Sequence, residues 1–144
     1  MSEAIKWAEL TPQQRDTLVA EKIMGWRATP CDGEQGEQPI SSDGWFCLKC
    51  GYDGNWGDSF EHMELPPRYT TRLDAIKQLR QRMAERFPLL NLHLIAFTYH
   101  RCYAAFAEEY PYENWEWAEG NGEHCMEEAI CKAALKVCKW KVQP

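Results

Sequence analysis

Residues 128–136 read Glu128-Ala129-Ile130-Cys131-Lys132-Ala133-Ala134-Leu135-Lys136, and this stretch decides the fold class. With its flanks it sets Met126, Ile130, Ala133, Val137 and Trp140 at steps of three and four residues, the repeat of one helical face. Such a face needs a surface to pack on, and the residues before it supply one. Residues 89–106 read as strand, long and bent. Leu92, Leu94 and Ala96 fall on one side, and Ile95, Phe97, Tyr99 and Tyr103 on the other, so both faces are partly apolar, which suits a sheet covered on two sides. Trp115 to Ala118 reads as a returning strand, and Gly120-Asn121-Gly122 as the break before the closing helix.

Two more helices precede these strands. Thr11 is placed to cap the first, with Pro12 at its opening position and Gln14 completing a capping box. Leu18, Val19 and Ile23 line one face, Gly25 is the stop, and Leu10 stands where it can staple onto the Arg15 stem. The second helix spans Thr71 to Arg86, with Leu73, Ile76, Leu79 and Met83 at helical spacing, Thr71 and Asp74 as a capping pair, and Pro88 as terminator. The sum is an α+β fold: a small antiparallel β-sheet with helices on both sides, an α/β/α sandwich. The chain reads as a single domain over residues 1–144, with a Cys-containing, loop-rich segment at 28–65.

At 144 residues the chain can bury a core without staples. A formal charge of −6 argues against nonspecific binding to nucleic acid, which rests on neutralised phosphates. No run approaches the roughly 20 apolar residues that span a bilayer, and the N-terminus lacks a basic stretch followed by an apolar one. A cytoplasmic protein is expected, with its seven Cys reduced. Cys125, Cys131 and Cys138 then read as small core residues of the closing helix.

The sharpest chemical signal is Cys47-Leu48-Lys49-Cys50-Gly51, the knuckle pattern of a zinc ribbon. A structural zinc site takes four ligands, and Cys31 upstream with His62 downstream completes a Cys3His set. All four lie in loop-rich sequence with little core of its own, where metal binding contributes directly to folding. The plain alternative is a reduced Cys pair at a strand end.

A second candidate site is the row His93, Phe97, Tyr99, Arg101 and Tyr103, alternating onto one strand face. Phe97, Tyr99 and Tyr103 offer stacking surfaces and Arg101 a phosphate contact, a combination that suits a nucleotide-like ligand. The competing reading packs these side chains under a helix and places a protein-binding patch at Trp56 and Trp115, since Trp is enriched at interfaces. Glu108, Glu109, Glu113, Glu116, Glu119, Glu127 and Glu128 read as a solvated rim. No phosphate loop, nucleophile elbow or HExxH motif is present, so binding is expected rather than catalysis.

Three stretches also carry a resemblance: Ala20-Glu21-Lys22-Ile23-Met24-Gly25-Trp26, Pro66-Pro67-Arg68-Tyr69-Thr70-Thr71, and the closing-helix stretch 128–136. In order and spacing they resemble the phage ABA sandwich domain, a family of small phage proteins known by fold rather than by activity. The resemblance implies a layered α/β/α arrangement and a phage or prophage origin. It supplies no activity; taken with the excess of Trp and Tyr and the lack of catalytic motifs, a phage origin leads to the expectation of a non-enzymatic host-interaction or counter-defence role in the cytoplasm of an infected bacterium, through a host protein or a sequestered nucleotide-like ligand. A nucleotide-processing enzyme and a virion or assembly accessory are the alternatives, and a homo-oligomer is compatible with any of these. Arg72 departs from the family pattern, which commonly has Asp there; Asp74 is the residue expected to take over the cap.

Overall fold

The computed structural model of the chain describes residues 4–37, 44–50, 52–55, 59, 61–98, 100–108, 115–140 and 142–143. In chain order its elements are β1 (Ile5–Lys6), a 3-10 turn (Trp7–Glu9), α1 (Pro12–Lys22), β2 (Gln35–Glu37), β3 (Gly44–Cys47) and β4 (Asp53–Asn55). There follow α2 (Leu73–Arg86), β5 (Asn91–Thr98), β6 (Arg101–Ala107), β7 (Ala118–Asn121), α3 (Cys125–Val137) and β8 (Val142–Gln143). They form two compact units, Met1–Gly25 with Arg68–Pro144, and Trp26–Pro67. The second nearly coincides with the loop-rich stretch 28–65. No helix among the described residues is long and apolar enough to cross a membrane.

The larger unit is built around α3, which packs on β6 and β7 of the antiparallel sheet β5-β6-β7. Cys102 on β6 touches Cys125 at the start of α3, Sγ to Sγ 2.8 Å. Opposite Cys102 stands Gly120, where a Cβ would come within 1.8 Å of the Cys125 carbonyl oxygen. Only glycine lets the helix approach the strand this closely, so Gly120 belongs to β7 rather than to a turn. The strand expected from Trp115 to Ala118 accordingly starts at Ala118.

The α+β class with a small antiparallel sheet is as expected, with α3 packed directly on that sheet. Lys77, Arg80 and Ala84 of α2 line a cleft with Leu92 and Phe106, which share the α3 side with Cys102 and Ala104. Both α1 and α2 pack on α3. On the opposite face His93 pairs across from the buried Ala105, and Trp115 stacks on the His93 ring at 3.8 Å.

Packing on several sides also changes the closing helix. The one-sided stripe becomes a central helix, with Cys125, Glu127, Ala129, Ile130, Cys131, Lys132, Ala133, Ala134 and Leu135 all buried. Of the stripe itself Ile130 and Ala133 are buried, while Met126 and Val137 are half-buried. Trp140 lies beyond the helix, after Lys139 turns into the left-handed region at φ 71°, and Lys22 stands over its ring. Glu127 and Glu128 are therefore not rim residues: the first is buried, and the second pairs with Lys132 at 3.2 Å.

The helix ends show which local signals hold. The Thr11 capping box forms in full, with Pro12 inside it. The Arg15 guanidinium donates to the Trp7 carbonyl at 2.9 and 3.1 Å. At α2 the N-cap is Arg72 without a side-chain cap, and Asp74 pairs with the Arg72 guanidinium instead of capping.

Residues 89–106 form a hairpin rather than one bent strand. The Thr98 hydroxyl accepts from the His100 N–H at 3.2 Å, and the His100 carbonyl accepts from Gly122 N–H at 2.8 Å. A Ser/Thr turn of this kind reverses the chain without Gly or Pro, which is why the break left no strong mark in the sequence.

The unit Trp26–Pro67 carries the sheet β2-β3-β4, antiparallel throughout, and an isolated bridge between Pro30 and Met63. Its buried large side chain is Trp45, which lies against Gly54 on the neighbouring strand. A Cβ on Gly54 would fall 2.2 Å from the indole, so glycine is needed for the ring to lie flat there.

Candidate metal centre

Strand β3 ends on Cys47, and the tight turn that follows brings Cys50 back beside it. The other two ligands come from chain segments fastened to each other, since the Cys31 N–H donates to the His62 carbonyl at 2.9 Å and Glu64 N–H to Thr29 at 2.8 Å. The turn is tied to β3 and the segment before β2 by Cys47 N–H to Tyr52 O and Leu48 N–H to Glu34 O. Backbone hydrogen bonds therefore place all four side chains before any ligand is considered.

The Sγ atoms of Cys31, Cys47 and Cys50 and a ring nitrogen of His62 lie within 4.8 Å of one another. Cys31 Sγ is 3.6 Å from Cys47 Sγ and 3.8 Å from Cys50 Sγ, and Cys50 Sγ is 3.3 Å from His62 Nε2. Zinc–sulfur bonds of about 2.3 Å and zinc–nitrogen bonds of about 2.0 Å in a tetrahedron require sulfur–sulfur edges of roughly 3.8 Å and sulfur–nitrogen edges of roughly 3.5 Å. The observed separations fit that tetrahedron, and the donor set suits a borderline-soft divalent ion. The four residues expected from sequence are thus brought together, and their arrangement is compatible with a structural metal site.

The environment favours thiolate at Cys47. Burial raises the Cys47 thiol, but N–H donation from Cys50 and Lys49, with hydrogen bonds from the Cys31 and Cys50 thiols, outweighs it and brings Cys47 down to about 6. Cys31 is pushed up to about 11 by desolvation and by donating to its two sulfur neighbours, against an opposing bond from the Gly33 N–H. Thiolate is the form that ligates a metal.

Two supporting features escaped the sequence reading. A Cβ on Gly33 would lie 2.5 Å from Cys47 Sγ, so the Cys31-Asp32-Gly33 turn can pass over the sulfur only with glycine there. The His62 ring stacks on Tyr52 at 4.6 Å and 17°, with Trp45 at 5.8 Å, which fixes its orientation. The signal for the first was Cys-x-Gly; nothing in the sequence paired Tyr52 with His62. Gly51 of the knuckle lies outside the described residues.

The other expected site residues fare differently. Arg101 and Tyr103 are neighbours on β6, and Arg101 Nε donates to Tyr103 Oη at 3.1 Å and Glu119 Oε1 at 2.8 Å. The guanidinium is thereby engaged within the sheet. Phe97 falls on β5 with its side chain outside the described residues, as Tyr99 and Trp56 are entirely. Trp115 is half-buried, stacked on His93 and tilted against Trp117 at 5.6 Å.

Compared with protein-family models, with curated proteins and with solved structures, the chain matches none.

Proposed function

We propose that this chain is a non-enzymatic binding protein whose Cys31–His62 segment is a structural zinc module. The observation that supports it is the closed Cys3His set, with ligand atoms within 4.8 Å of one another. Catalytic zinc sites keep an open position for water or substrate, whereas a fourth protein ligand closes the shell. Bound zinc would hold the turn after β3 to the segments carrying Cys31 and His62, stabilising a unit with little apolar core. The role we assign is host interaction or counter-defence in phage-infected bacteria, by sequestering a nucleotide-like ligand or engaging a host protein. That assignment draws on the three motif stretches and on the abundance of Trp and Tyr, types suited to interfaces.

Native mass spectrometry of protein purified without chelator tests the reading. About one zinc per chain is expected of a site whose ligand binding is linked to folding; under roughly 0.2 zinc per chain overturns it.

A further inference from the structure

A cleft of about 510 Å³ lies beside the edge strand β7 in the larger unit. Its size falls in the range of about 300–1,000 Å³ typical of small-molecule sites. Trp7 lines it, a buried ring with two cations over it, Arg15 at 5.1 Å and Lys132 at 5.7 Å from its centroid. Its indole N–H is buried without a hydrogen-bond partner among the described residues. Tyr103 and Trp117, both half-buried, add aromatic surface to the lining.

The charges in the cleft do not cancel. Glu128 pairs with Lys132, and Glu119 pairs with Arg101. Arg15 and Lys136 remain, and neither forms an ion pair with a carboxylate among the described residues. Each is instead oriented by a backbone carbonyl: Arg15 by Trp7 O at 2.9 Å, and Lys136 by Trp117 O at 3.2 Å. Both retain further N–H donors, since Lys carries three and Arg five. A locally cationic, aromatic-lined cleft therefore sits within a chain of net charge −6.

We infer that this cleft binds a small planar anion of the nucleoside monophosphate class, its ring on the Trp117 and Tyr103 side and its phosphate toward Arg15 and Lys136. This rests on the reading of the chain as a binding protein, and moves the ligand from the hairpin row to its neighbour, with Tyr103 common to both. Ring and phosphate are both required: stacking alone is base-tolerant, and the cations supply the anion contact.

Calorimetry with the four ribonucleoside monophosphates, followed by the nucleoside and inorganic phosphate halves of the tightest one, tests the site. At least one monophosphate should bind more tightly than either of its halves. Lys136→Met and Trp117→Leu should each weaken binding about tenfold or more, the scale of one lost stacking or charge-assisted contact. Lys136→Arg should restore most of it. Circular dichroism and urea melts establish that each variant is folded; should Trp117→Leu fail to fold, the Lys136→Met and Lys136→Arg pair decides. No binding of any of the four to wild type, or binding unchanged in Lys136→Met, overturns the inference. Chromatography of the recovered nucleotide keeps the two readings apart. A converted nucleotide would defeat the non-enzymatic reading and leave the cleft assignment standing.

Discussion

In the unit around α3, Val19, Leu79, Met83, Ile130 and Leu135 are all buried, drawn from three helices. In Trp26–Pro67 the large buried side chains among the described residues are Trp45 and Cys47, and the second of these is a metal-ligand candidate. One unit is held by apolar area removed from water, which is distributed and tolerant of single losses. In the proposed reading the other depends on four donor atoms converging on one metal ion, where losing one donor would disable the set. The contrast also predicts different sensitivities: the first unit should answer to cavities and buried polar groups, the second to chelators and thiol chemistry.

The largest effect should come from the metal. Chelation, or Cys47→Ser, should unfold Trp26–Pro67 while α1, α2 and α3 keep their structure, because structural zinc in small modules contributes on the order of 10 kcal/mol at neutral pH. Hydrogen exchange read by mass spectrometry should show protection lost at the amides of Cys31, Cys47 and Leu48 and kept along α3. Loss of protection in both units together would break the comparison.

Next in size is Ile130→Ala, which opens a cavity in the central helix and should cost about 2–5 kcal/mol in urea melts. The zinc content should not change. A loss under about 0.5 kcal/mol would mean that α3 is not the core the packing indicates.

A smaller effect is expected at the tie between α1 and the segment before α2. Asp16 Oδ1 accepts from the Thr70 N–H at 2.9 Å and the Thr70 hydroxyl at 2.8 Å, both bonds buried. Asp16→Ala leaves two donors unmade and should cost about 1–3 kcal/mol. Asp16→Asn keeps an acceptor oxygen. Burial raises the Asp16 carboxyl above its ordinary 3.8, against the opposing Thr70 bonds and the Arg68 charge. A raised carboxyl means that the folded state binds more protons than the unfolded state, so this group's contribution falls as pH rises from about 3.8 through the folded value. Urea melts across that window should show this downward component in wild type and not in Asp16→Asn; identical profiles would remove the burial argument.

The smallest effect is local. Thr11→Ala removes the cap that accepts from Gln14 N–H and should cost about 1 kcal/mol, leaving Trp26–Pro67 untouched.

How much of this was readable beforehand follows from the range of the interactions concerned. The Thr11 cap, the α2 span and the ligand set Cys31, Cys47, Cys50 and His62 were legible, because caps, periodicity and knuckle spacing depend on residues close in sequence or on unmistakable chemistry. The hairpin at Thr98–His100 was not, since a hydroxyl-supported turn carries no Gly or Pro signature. Nor was the cleft beside β7 visible, because Trp7, Arg15, Tyr103, Trp117 and Lys136 are scattered along the chain and meet only after packing. The same is true of the second and third motif stretches. Cys131 of the last lies 3.5 Å from the Tyr69 carbonyl of the second, and Asp16 of α1 reaches Thr70 beside it. Those motif residues serve as contacts at the helix junction.

The sequence by itself determined the helices, the α+β class and the identity of the four metal-ligand candidates, since each follows from local conformational preference or side-chain chemistry. Tertiary structure alone decided that α3 is buried on several sides, and that Arg101 is held by Glu119 while Arg15 and Lys136 face a cleft. Periodicity reports that a side chain is apolar or charged. Which surface covers it, and which opposite charge reaches it first, depends on residues far away in the chain, and no local pattern contains them.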